Sequence, residues 1–99
     1  LFTRMTFALP VSRLRETDTL LAFWHPKPAY KFHVLLTPKR PAATLAELDP
    51  SDSAFLGDLM SVVQSLVKEY KLEQGGYRLI VNGGEYQDFP HLHFHLISD

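Results

Sequence analysis

Three of the five histidines stand at positions 91, 93 and 95, alternating with Leu92, Phe94 and Leu96. Side chains two apart on an extended chain point to the same face. The spacing therefore predicts a strand from His91 to Ile97 with a row of three imidazoles on one face and apolar residues turned to a core on the other. Such a row suits two kinds of chemistry. Neutral ring nitrogens ligate zinc or iron, usually with one further ligand, for which His33, Asp88 and Glu85 are available. In the other case, one imidazole attacks as a nucleophile while an acceptor fixes its tautomer, and its neighbours stabilise an anionic transition state. Spacing alone leaves both open.

The elements that must position this row are punctuated by seven prolines. Val11 to Thr17 predicts a short strand. Thr19 to Trp24 is an apolar run of strand length, ended by His25-Pro26-Lys27-Pro28, which cannot continue a ladder. Phe32 to Thr37 is β-rich and stops at Pro38. Thr44 with Glu47 fits a capping box for a short helix. Asp49 as cap and Pro50 in the first turn open a longer helix. Its apolar face carries Phe55, Leu56, Leu59, Met60, Val63, Leu66, Val67 and Tyr70, and Gln74-Gly75-Gly76 ends it. Tyr77 to Val81 is the next strand, and Asn82-Gly83-Gly84 is turn chemistry. The first three strands are too closely connected for parallel crossovers. The expectation is an α+β fold: a mainly antiparallel β-sheet of about five strands, with one long and one short α-helix.

Composition narrows the functions. The chain has 99 residues, enough for a single domain, 1–99. Its 10 basic and 11 acidic side chains give a formal charge of -1. That balance is poor for gripping DNA or RNA through the backbone, yet suffices for a small anion. The absence of cysteine excludes disulfides, thiolate nucleophiles and cysteine-ligated zinc, and favours a reducing cytoplasm. No apolar run approaches the roughly 18 residues of a membrane span, and no signal-peptide pattern opens the chain.

His91-Leu92-His93-Phe94-His95-Leu96-Ile97 resembles the His-apolar-His-apolar-His-apolar-apolar signature of the histidine triad (HIT) superfamily. Phe23 followed by Pro28, then His33 through Lys39, is similar to that family's stretch of His, apolar strand and Pro-Lys. Gly76 to Gly84 resembles its Gly-Tyr-Arg strand with a terminal Asn, and Gln87 stands four residues before the triad as in the family. The likeness spans residues 11 to 98 and is closest to the Hint branch. It implies a HIT-like fold and a nucleotide hydrolase or nucleotidyl transferase acting at the α-phosphate of a nucleoside phosphate or phosphoramidate, with no metal or other cofactor. It implies His93 as nucleophile, forming a nucleotidyl-histidine intermediate. His91 would orient it through its backbone carbonyl, and His95 and His33 would lie near the phosphate. Asn82 would touch the phosphate or ribose, Gln87 would belong to the nucleotide site, and Phe23 would line the base pocket. A small-molecule nucleotide and a second copy of the chain, as a homodimer, are the expected partners.

Two positions depart from the family pattern. His25 stands where Hint-type chains place an Asp that holds the ribose hydroxyls, so sugar discrimination should weaken. Asp88 stands where the family has Ser or Thr. An ionised carboxylate there repels a phosphate and has no proton to give a leaving group. These departures keep open a catalytically weak nucleotide-binding module, and the histidine row itself keeps open a metal-binding protein.

Overall fold

In a computed structural model, residues 12–99 are described. They form a five-stranded antiparallel sheet in the order β1-β2-β3-β5-β4. The strands are β1 (Arg13–Glu16), β2 (Leu20–Trp24), β3 (Phe32–Pro38), β4 (Arg78–Val81) and β5 (Phe94–Ser98). Strand β1 lies within the predicted segment, whose first residue, Val11, is outside the described residues. The 17-residue helix α1 (Ser53–Glu69) and the one-turn helix α2 (Leu72–Gly75) join β3 to β4.

Alternation on the central strands sorts the side chains into two faces. Leu20, Ala22, Val34, Leu36, Phe94 and Leu96 pack with Phe55, Leu59, Val62, Val63, Leu66 and Val67 of α1 into the core. This is the predicted amphipathic helix on one sheet face, with Val62 added. Met60 is 47% exposed, and Tyr70 sits at the rim, edge-on to Trp24 at a centroid distance of 5.6 Å. Opposite pairs on an antiparallel ladder share a face. The pairs Phe23↔Leu35, Leu35↔His95 and Ile80↔His95 therefore make one row across the other face.

The helix ends differ from expectation. The Asp49 carboxylate is spent on a local turn, accepting from the Ser51 amide at 2.9 Å and hydroxyl at 2.7 Å. Asp52 is the cap instead, its Oδ1 accepting from the Phe55 N–H at 3.2 Å. Thr44 precedes only a 3-10 turn, Leu45–Glu47, and its hydroxyl makes no cap bond. The long helix stops at Glu69 rather than at the glycines, because Lys71 adopts a left-handed φ of 54°. Gly76, at φ 94°, then closes α2, a conformation that favours glycine.

The final strand also begins later than predicted. Pairing with β3 starts at Leu36↔Phe94, so His91 and His93 precede the ladder. The continued register would bring Leu92 opposite Pro38, which has no N–H to give. The backbone of 91–92 finds other partners. The Leu92 N–H donates to Ala42 O at 2.8 Å, and the Thr37 hydroxyl donates to Leu92 O at 2.9 Å. Leu92 remains fully buried, so the in–out alternation survives outside the strand.

Candidate active site

His93 and His95 face each other with ring centroids 5.1 Å apart, and His95 meets His33 of β3 at 5.2 Å. His25, just past β2, lies against His33 at 4.3 Å. The sheet thus brings together four imidazoles from three chain segments. His91 is turned away from this group, with its Nε2 on Pro38 O at 3.2 Å.

Backbone groups fix the tautomers of these rings. The Ala29 N–H donates to His33 Nδ1 at 3.1 Å. A neutral His33 therefore carries its proton on Nε2, 3.0 Å from His95 Nδ1. His95 accepts there, and its own proton is on Nε2. That nitrogen is buried and has no hydrogen-bond partner among the described residues. His25 Nδ1 accepts from the Lys27 N–H at 2.9 Å, which places its proton on Nε2.

His93 is set the opposite way. Its Nδ1 lies 2.7 Å from His91 O, and a carbonyl only accepts. His93 Nδ1 is the donor, so the lone pair is on Nε2. A nitrogen with a free pair beside a buried N–H donor can attack an electrophile whose oxygens gain charge.

Burial keeps the supporting rings neutral. It is the largest cause holding His33 down to about 4, with His25 and His95 adding like-charge repulsion. His95 is lowered by burial and then by His93. His91 is lowered by burial, partly opposed by the Pro38 carbonyl. Burial also lowers His25, against the attraction of Asp88.

The remaining predicted residues take distinct places. Phe23 is buried on the site face, across Leu35 from His95. Asn82 directly follows β4, whose last residue pairs with Phe94. Gln87 fastens its loop: its Nε2 donates to Ala43 O at 2.8 Å and Phe89 O at 2.9 Å. Asp88 stands at the mouth of the site, 86% exposed, its Oδ1 3.6 Å from His93 Nε2. Beside it, Ala43, Thr44, Gly84, Phe89 and Pro90 border an open cavity of about 320 Å³. Sequence reasoning missed Ala29 and Ala43, which act through backbone atoms, and no side-chain signal could have found them. Among the described residues, no three of His, Asp and Glu are grouped to hold a metal ion, and no helix is long and apolar enough to cross a membrane.

Residues 7–99 match the HIT domain family. A HIT-like protein of Synechococcus elongatus is 35% identical over 92 residues, covering 91% of this chain and 80% of that protein. Adenosine 5'-monophosphoramidase HNT1 of Candida albicans is also 35% identical, over 97 residues, covering 90% of this chain and 62% of that protein. The crystal structure of a HIT family hydrolase from Legionella pneumophila superposes with a TM-score of 0.88 at 29% identity, over 99% of this chain and 90% of the other.

Proposed function

The chain belongs to the HIT family, and from that premise we propose that it hydrolyses a nucleoside phosphoramidate or related nucleoside phosphate at the α-phosphorus. The observation that carries this reading is the pairing of the His93 Nε2 lone pair with the buried Nε2–H of His95, which has no hydrogen-bond partner among the described residues. His93 Nε2 forms a bond to phosphorus as the bond to the leaving group breaks. The departing pair goes to the leaving group, which takes up a proton from solvent, balanced by the proton that water gives up in the second step. His91 O holds the Nδ1 proton as the ring becomes cationic. His95 donates to a phosphate oxygen as its charge grows. Water then attacks phosphorus, the P–Nε2 bond breaks, and its electron pair returns to His93. The water's proton is released and a nucleoside monophosphate leaves. Phosphoryl-group chemistry asks mainly for this positioning and charge stabilisation.

The phosphoramidate class is supported by the monophosphoramidase relative. His25, whose ring cannot clamp two hydroxyls as one carboxylate does, fits a relaxed preference for ribose over deoxyribose. The test is to mix the protein with adenosine 5'-phosphoramidate, quench rapidly and map the peptides. An acid-labile nucleotidyl adduct on His93 is expected. The same adduct on His95 or His33, or no release of nucleoside monophosphate, would overturn the proposal.

A further inference from the structure

We infer that His25 and the loop behind it form a subsite for a second phosphate, one carried on the sugar of the substrate nucleoside. This deepens the function proposed above and rests on it.

The backbone fixes the ring of His25 in the site. Its N–H donates to His33 O at 2.9 Å, which extends the β2–β3 ladder by one pair and turns both rings to the site face. The two rings lie 4.3 Å apart. The Lys27 N–H donates to His25 Nδ1 at 2.9 Å, so the neutral ring carries its proton on Nε2. That N–H has no hydrogen-bond partner among the described residues. A second imidazole donor thus stands beside His95, the two rings 6.2 Å apart and within 24° of parallel. What it meets follows from its place. On the proposed reading the reacting phosphate lies at His93 and His95, and the base at Phe23. His25 is two residues beyond Phe23 on the same face, so the part of the substrate between base and phosphate, the sugar, passes its Nε2–H. A donor there rewards an acceptor, and a phosphate is the strongest acceptor a sugar oxygen can carry. Charge agrees. Lys27 and Lys31 stand two residues into the loop from His25 and His33; both are exposed, and neither forms an ion pair among the described residues. No acidic residue occurs from 25 to 33. Two carboxylates come near, but Asp99 accepts from the Lys31 N–H at 3.3 Å, and Asp88 lies 3.6 Å from His93 Nε2. A neutral donor flanked by two unpaired ammonium groups suits a dianion.

Calorimetry compares the binding of adenosine 5'-monophosphate with that of adenosine 2',5'-bisphosphate and adenosine 3',5'-bisphosphate. One of the bisphosphates should bind about tenfold tighter than the monophosphate, the gain of a hydrogen bond to a charged group. The better isomer identifies the sugar oxygen at His25, and added salt should compress the gain. His25→Asp should reverse the preference, because a carboxylate accepts from hydroxyls and repels a phosphate. Lys27→Glu, a change on an exposed side chain, should cut the gain to about threefold, and it decides the matter if His25→Asp does not fold. Bisphosphates that bind no tighter than the monophosphate, or a gain that either folded variant keeps in full, overturn the subsite while the function stands. No turnover of adenosine 5'-phosphoramidate overturns the function and the subsite with it.

Discussion

His93 and His95 are chemically identical side chains that the fold makes into opposites. A carbonyl at Nδ1 of His93 leaves a lone pair on Nε2, and a donor at Nδ1 of His95 leaves a proton on Nε2. His93→Ala should therefore abolish turnover while nucleotide binding stays measurable by calorimetry; near-native turnover would refute its role. His95→Ala should cost about 10²–10³ in kcat, the usual loss for one charge-stabilising donor. The tautomer chain also predicts a pH dependence of stability. His33 is held at about 4 in the folded protein, against an ordinary value of 6.5. Between these values the unfolded chain binds a proton that the folded chain refuses, so stability present above about pH 6.5 is lost as pH falls toward 4. Denaturant midpoints should fall through that window and fall less steeply in His33→Asn. A wild-type midpoint that stays flat from pH 7 to about 5 would show that burial does not hold the ring neutral.

At the scale of elements, α1 depends on a cap the sequence disguised. Asp49 and Asp52 both precede the apolar run, and Asp49-Pro50 is the better-looking start. Ser51 captures Asp49, leaving Asp52 for the Phe55 amide. Asp52→Ala should destabilise the protein by about 1 kcal/mol, and Asp49→Ala by less, in urea unfolding. Equal losses would mean that the first turn is shared between them. The sheet was legible because hydrophobic alternation and proline breaks are strong, local signals. The imidazole face was legible for the same reason, since residues two apart share a side whether or not a ladder forms. What escaped reading was backbone partnership. The late start of β5 and the Leu92–Ala42 bond depend on chain segments meeting in space, and the Ala29 amide on His33 depends on the path of a local turn. Lys71 is similar: its left-handed turn ends α1 at a residue whose type gives no warning.

Considered whole, the molecule presents a sheet edge at β4 where we expect a second copy of the chain to pair. Strand β4 is the last in the sheet, with one edge on β5 and no neighbour beyond it among the described residues. It is short, and Leu79 on it is 37% exposed, with Tyr77 just before it at 40%. An open strand edge is a template for pairing unless charge, proline or a bulge protects it. Here Arg78 is the only charged residue on the strand. Two β4 edges meeting antiparallel about a two-fold axis would extend the sheet through both copies and cover Leu79 and Tyr77 twice over, the self-complementary contact typical of dimers. A chain of 99 residues buries a modest share of its surface alone and gains proportionally more from such a contact than a larger domain. Sedimentation at tens of micromolar should therefore show a species of twice the 11.3 kDa chain mass. Tyr77→Lys combined with Leu79→Lys should return it to the monomer, since like charges would face each other across the axis. A wild-type protein that sediments only as the monomer would remove the dimer, and a dimer indifferent to both lysines would move the interface away from β4.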